Sequence, residues 1–248
     1  MARGRYLFIS DLHLDASAPG AIELFQLFLR EVAADSDGLY ILGDLFETWI
    51  GDDDDEPARS GACEALARLT ATGVPCWVQH GNRDFLLGSG FTARTGCRLL
   101  PDPLLLELGG RRIAVSHGDL LCLGDTGYQD FRAMVRSPSF QRGYLALPLA
   151  TRRDIAGIAR KASSKHTRQL REDIADVEPG AVAALLRTAR ADLLIHGHTH
   201  RPAEHRLTVD GRACTRVVLP DWHEGGGYLA LDEAGNYTLA TLTAGTPE

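Results

Sequence analysis

The chain is 248 residues long, 44% hydrophobic and 24% charged, with a formal net charge of -7, which suits a globular protein with a proper core. The acidic balance argues against non-specific nucleic-acid binding by the whole surface, and no stretch approaches the roughly 18 unbroken apolar residues of a membrane span. The five cysteines, Cys63, Cys76, Cys97, Cys122 and Cys214, are scattered and lack Cys-x-x-Cys spacing, so unpaired thiols in a reducing compartment are expected.

In chain order, Met1-Ala2-Arg3-Gly4-Arg5 runs straight into Tyr6-Leu7-Phe8-Ile9, too short an apolar region for a secretion leader. Residues 6–10, 39–42 and 76–80 read as short buried strands that end abruptly in polar or glycine residues. Between them, 21–33 and 57–72 carry apolar residues at helical spacing, among them Ile22, Phe25, Leu29 and Val32. This β-α-β-α-β order predicts parallel strands flanked by helices, and ligands of such sheets collect beyond the carboxyl ends of the strands. Residues 104–108 and 113–116, joined by Gly109-Gly110, read as a hairpin. A further strand at 192–195 follows, and 216–219, 228–231 and 237–242 read as strands of an antiparallel second sheet. The expected fold class is α/β (α+β), a four-layer α/β/β/α sandwich in one domain spanning 1–248.

The middle, about 120–171, differs in composition. From 131 to 171 there are ten Arg or Lys and one acid, Asp154, a charge of +9. Interleaved are Phe131, Met134, Tyr144, Leu145, Ile155 and Ile158. The segment reads as a basic amphipathic helical insertion, a lid; the alternative is a helix pair packed on the core. Residues 52–56, four aspartates and a glutamate, read as a solvated loop or as part of a site rim. Trp49, Trp77 and Trp222 read as packing residues.

Five motifs fall just after predicted strands: Asp11-Leu12-His13, Gly43-Asp44, Gly81-Asn82-Arg83-Asp84, His117-Gly118-Asp119 and Gly197-His198-Thr199-His200. Singly each is weak, since a Gly-Asn pair is commonly a turn and one histidine is commonly a core residue. Together, each at a strand end, they suit two divalent cations about 3.5–4 Å apart that hold the attacking and leaving oxygens of an in-line displacement. Mutual repulsion of the cations calls for a bridging anion, which Asp44 supplies. A mixed His/Asp/Asn set without cysteine favours Mn, Fe, Zn or Co over Ca.

The longer passages around these motifs include Ser10-Asp11-Leu12-His13-Leu14, Tyr40 through Glu47, Trp49 through Asp54, His80 through Gly88 and Ile195 through Pro202. With them the chain resembles the calcineurin-like metallophosphoesterase superfamily and, within it, the family of UDP-2,3-diacylglucosamine pyrophosphohydrolases of lipid A biosynthesis. The resemblance implies hydrolysis of a pyrophosphate bond by two-metal activation of water attacking the α-phosphorus. The products implied are UMP and 2,3-diacylglucosamine 1-phosphate (lipid X). It implies two Mn2+ per chain, one on Asp11, His13, Asp44 and His200, the other on Asp44, Asn82, His117 and His198. His196 falls outside that set and is expected to be structural.

Asp44, Asn82, Arg83 and His117 are then the expected catalytic residues, and Asn82, Arg83, Asp125, Ser163, Thr167 and His198 the substrate contacts. A lysine expected in the family falls on Leu170, with Arg168 and Arg171 nearby. The implied partners are a lipid-linked UDP-sugar and an anionic membrane surface, with no nucleic acid. A monomer is expected, peripheral on the cytoplasmic side of the bacterial inner membrane and released by salt.

Many relatives carry Gly-Asn-His where this chain has Gly-Asn-Arg. Arginine stays charged, so it stabilises anionic charge without usefully donating a proton. Arg83 therefore fits a leaving group that needs no proton, such as the phosphomonoester released from a pyrophosphate. The simpler alternative is an Arg83–Asp84 ion pair.

Overall fold

The computed structural model describes residues 4–169, 176–223 and 225–242, with backbone alone from 163 to 169. Strands β1 (Arg5–Ile9), β2 (Gly38–Ile41) and β3 (Cys76–Gln79) run parallel, joined by helices α1 (Pro19–Glu31) and α2 (Pro57–Ala71). Proline begins both helices, where its missing N–H costs nothing and its fixed φ is already helical. The Glu56 carboxylate caps α2 by accepting from the N–H groups of Ala58 and Arg59. Helix α3 (Ser89–Thr95) then leads to β4 (Arg98–Leu100), parallel to β3.

Alternation along these strands builds two cores at once. Leu7 and Ile9 of β1 and Leu39 and Ile41 of β2 face α1 and α2, with Phe25, Phe28 and Leu66. Phe8 and Tyr40 point the other way, onto Ile113, Val115, Leu193 and Ile195 of a second sheet. Phe8, Tyr40 and Trp77 stack there across three strands, with ring centroids 4.9 and 4.5 Å apart. That sheet holds β5 (Leu104–Leu108), β6 (Arg111–Ser116), β7 (Leu193–His196), β8 (Ala203–Val209) and β9 (Arg212–Val218), in the order β5-β6-β7-β9-β8. Its outer face packs on α7 (Pro179–Ala189) through Ala114, Leu194 and Leu186. The layers are helix, sheet, sheet, helix.

The final strands part from expectation. β9 belongs to the second sheet but pairs parallel with β7. β10 (Gly226–Asp232) and β11 (Tyr237–Leu242) return to the first sheet, where β10 lies antiparallel on β1. The β-α-β crossovers stack β2 and β3 on one side of β1, which leaves a row of unpaired backbone groups on the other. β10 satisfies that edge. Period-two patterning says that Leu229 and Leu231 face a core, not which sheet carries them.

Between β6 and α7 lie α4 (Thr126–Val135), α5 (Pro138–Leu145) and α6 (Leu149–Gln169). No helix among the described residues is long and apolar enough to cross a membrane. The five cysteines are free and buried.

Candidate metal centre

The loops after β1 and β2 run side by side, stitched by Asp11 N–H to Gly43 O, His13 N–H to Asp44 O and Leu14 N–H to Leu45 O at 3.0–3.1 Å. The loops after β3, β6 and β7 close on them at the same end of the two sheets. Among the described residues, five of the seven non-glycine residues with positive φ are Asp11, His13, Asp44, His198 and His200. Such backbone costs about 1–3 kcal/mol per residue and persists where the surroundings over-determine it. The strain is concentrated on residues whose side chains converge.

They converge in two groups. His13 Nε2 and His200 Nε2 lie 3.2 Å apart, and His200 Nε2 is 3.3 Å from Asp11 Oδ1. In the second group, Asn82 Oδ1 is 2.9 Å from both His117 Nε2 and His198 Nδ1. Asp44 Oδ2 sits between the groups, 3.8 Å from His13 Nε2 and 3.8 Å from His117 Nε2. All seven sequence-predicted ligands are therefore brought together, with Asp44 central.

The donor set fits cations. His117 Nδ1 donates to Leu42 O at 2.9 Å, which turns Nε2 onto the Asn82 carbonyl oxygen at 2.9 Å, where a cation would take the place of a shared proton. Asp11 Oδ1 is buried and accepts no hydrogen bond. Burial alone would raise Asp11, yet the His200, His117 and His13 imidazoles hold it well below the usual carboxylate range. Burial pushes Asp44 up, opposed by His117 and His13 and reinforced by Asp84 and Asp11. Burial would lower His117, but Asp44, Asp11, Asp119 and Asp102 raise it to about 9. Burial and the charge on His117 lower His198 to about 3. A buried anionic cluster that must recruit histidine protons for balance has the charge and the ligand types for divalent metals.

Glycine lets the loops approach so closely. A Cβ on Gly81 would collide with the Asp44 carboxylate, and one on Gly197 with Asp11 and Ser10. Asp84 fixes the β3 loop by accepting from Gly81 N–H and Leu45 N–H, both at 2.8 Å. Its oxygens are thus spent on backbone rather than on Arg83, and the Arg83–Asp84 pairing is not formed. Arg83 N–H donates to Asp44 Oδ1 at 2.8 Å, and its Nε is buried with no hydrogen-bond partner.

His196 is buried, turned to Gly197 O at 2.8 Å and lowered to about 4 by burial, a neutral core residue. Asp125 is buried at the start of α4 and accepts from Tyr128 N–H at 2.9 Å. The side chains of Ser163, Thr167 and Arg168, together with Leu170 and Arg171, lie outside the described residues.

Charge counting misread the three-helix segment. Arg132 of α4 and Arg136, which caps its end, reach the buried Asp119 at 2.7 and 3.4 Å, and Tyr128 donates to it at 2.6 Å. At the foot of α6, Arg152 pairs with Asp53 and Arg153 with Asp54, while Arg160 lies 3.0 Å from Glu47. Five arginines expected on an anionic surface are engaged by the protein's own acids. Residues 52–56 are only in part a solvated loop: Asp53 and Asp55 are exposed, whereas Asp52 accepts from Gly88 and Gly90 N–H, and Asp54 is buried against Arg59. The apolar side chains remain outside. Among the described residues, five of the seven exposed large hydrophobics, Phe131, Met134, Leu145, Ile155 and Ile158, belong to α4–α6, with Ile158 at 70%.

Three residues beside the centre escaped sequence reasoning. Glu47 Oε2 lies 2.7 Å from His13 Nδ1, and Asp221 Oδ2 lies 3.8 Å from His200 Nδ1. The His223 ring packs on His13 and His200. Asp221-Trp222-His223 follows a strand and repeats the Asp-x-His spacing of Asp11-Leu12-His13, a signal that was open to reading.

The sequence profile described as calcineurin-like phosphoesterase matches residues 4–202. A UDP-2,3-diacylglucosamine hydrolase of Stenotrophomonas maltophilia is 50% identical over 244 residues, 96% of this chain and 98% of its own length. Another of that name, from Xanthomonas campestris, is 49% identical over 92% of this chain and 96% of its own. Among solved structures, an archaeal phosphodiesterase covers 96% of this chain and 99% of its own, with a TM-score of 0.49 and 13% identity, too distant to argue from.

Proposed function

The chain belongs to the calcineurin-like phosphoesterase family, and we propose that it hydrolyses the pyrophosphate bond of UDP-2,3-diacylglucosamine to UMP and 2,3-diacylglucosamine 1-phosphate. The substrate comes from near-full-length identity to hydrolases of that name. The chemistry is carried by one observation above all: Asp44 Oδ2 lies midway between two ligand groups, 3.8 Å from a histidine of each. Asp11, His13, Asp44 and His200 would hold one cation, and Asp44, Asn82, His117 and His198 the other, with Mn2+ the ion we propose. Bound there, two divalent cations supply water activation and neutralise the charge that builds on the reacting phosphate.

The residues do the rest. Arg83, on the Asn82 loop and free of Asp84, adds a fixed positive charge at the reacting α-phosphorus. No general acid is assigned, because the departing sugar phosphate leaves as a stable anion. Leu42 O holds the His117 ring in one tautomer. Helices α4–α6 form a lid whose exposed apolar side chains sheath the acyl chains and contact the cytoplasmic face of the inner membrane.

The test is UMP release with Mn2+ from UDP-2,3-diacylglucosamine beside p-nitrophenyl phosphodiesters. Strong preference for the UDP-lipid is expected. Equal or better turnover of the diesters would reassign the protein to a phosphodiesterase of the same fold.

A further inference from the structure

The outer contacts of the two ligand groups differ. His117 Nδ1 is held by a backbone carbonyl, Leu42 O at 2.9 Å, a neutral and immobile partner. His13 Nδ1 instead faces a carboxylate, Glu47 Oε2 at 2.7 Å, and the second oxygen of that carboxylate lies 3.0 Å from Arg160 Nε on α6. Glu47 is itself fixed from below. Its N–H donates to Leu14 O at 3.2 Å, just beyond His13, and Leu14 and Phe46 form an isolated bridge between the same two loops.

The far end of α6 is fixed as well. Arg152 and Arg153 bind Asp53 and Asp54, and Arg152 also donates to Ile50 O at 2.6 Å. Arg160 follows eight residues on, about 12 Å along a helix, and there meets Glu47. A helix anchored at its foot therefore makes a second contact with a residue that also touches a candidate ligand.

We propose that Glu47 is a positioning residue that joins the three-helix lid to the metal centre, orienting the His13 ring through one carboxylate oxygen and tethering α6 through the other. The inference rests on the metal-site reading given above and assigns to it a residue and a coupling that the ligand set does not contain. With Nδ1 held towards Glu47, His13 presents Nε2 to Asp11, Asp44 and His200, at 3.9, 3.8 and 3.2 Å. Carboxylates behind ligand histidines fix the ring and raise its basicity, and their loss typically costs about 10–100-fold in metal affinity. Because one carboxylate serves both partners, metal occupancy at the His13 group and seating of α6 are linked, and linkage of binding free energies is reciprocal. The His117 group meets α4 instead, through the Tyr128 ring stacked on His198 at 6.1 Å and Arg136 donating to Gly81 O at 2.9 Å, so the coupling through α6 is particular to the His13 group.

The experiment titrates MnCl2 calorimetrically into metal-free full-length protein, as wild type, Glu47→Ala, Glu47→Gln and Arg160→Gln. Hydrogen exchange of residues 149–162 is followed with and without Mn2+. Glu47→Ala is expected to weaken one of two Mn2+ sites by about 10–100-fold and spare the other. Glu47→Gln keeps an oxygen towards Nδ1 and is expected to recover part of that loss. Mn2+ is expected to slow exchange in α6 of the wild type, and Arg160→Gln to abolish that slowing while both sites still fill. Should Glu47→Ala not fold, the Glu47→Gln and Arg160→Gln pair carries the same contrast. Two sites of wild-type affinity in Glu47→Ala, or α6 protection by Mn2+ that persists in Arg160→Gln, would overturn the proposal alone. A wild type that binds no Mn2+ would overturn the metal reading beneath it.

Discussion

At Gly81 the backbone passes so near Asp44 that a single methyl group has no room. Gly81→Ala is expected to push Asp44 off its midpoint, lowering stability by about 1–3 kcal/mol as overpacking does and weakening metal binding further. Urea unfolding beside a Mn2+ titration would measure both, and a variant with unchanged Mn2+ affinity would contradict the expected fit. Asp44→Ala removes the carboxylate that lies 3.8 Å from a histidine of each group and is expected to cut hydrolysis at least about 100-fold, more than loss of an outer contact. Steady-state turnover at saturating Mn2+ would check this. The seven converging residues were legible because each follows a strand, and strand ends meet at one edge of such a sheet. Glu47 was not, because nothing near it in sequence says that the β2 loop folds beside the β1 loop and turns its carboxylate onto His13.

Helix α4 is tied down by Asp119, a buried carboxylate facing Tyr128, Arg132 and Arg136. Burial would raise this group, yet His117, Arg136, His198 and Arg132 depress it strongly. A depressed acid contributes stability that is fully present above its unfolded pKa of about 3.9 and is lost as pH falls towards the lower folded value. Asp119→Asn removes the carboxylate shared by two part-buried arginines, of which Arg132 keeps only Asp102 at 3.8 Å, and is expected to cost about 3 kcal/mol at neutral pH. The gap between its Tm and that of the wild type should stay constant from pH 7 to about pH 4 and shrink below that. A gap that widens on acidification would contradict the assignment. The helical segment was legible from its apolar spacing, while the destination of its arginines was not. A count of +9 between residues 131 and 171 is blind to Asp53, Asp54, Glu47 and Asp119, which lie elsewhere in the chain and in part beneath the surface. β10 shows the same limit, since its alternation is clear but the free edge of β1 exists only in three dimensions.

For the whole molecule, those engaged arginines shift the proposed membrane attachment from charge towards apolar contact. Phe131 and Ile158 stand exposed on α4 and α6, and burying such side chains contributes about 1.5–3 kcal/mol each. Sedimentation with anionic liposomes is expected to fall only partly between low and high salt, and to fall sharply in Phe131→Asp/Ile158→Asp. Pelleting unchanged in that double variant would contradict the surface; no pelleting of the wild type in either salt would remove the membrane from the account. The claim on which everything else stands is the dinuclear centre, and anomalous diffraction from crystals grown with Mn2+ tests it most directly. The account predicts two peaks about 3.5–4 Å apart, one against Asp11, His13 and His200, the other against Asn82, His117 and His198, with Asp44 touching both. A single peak, or two peaks that Asp44 does not join, would contradict it.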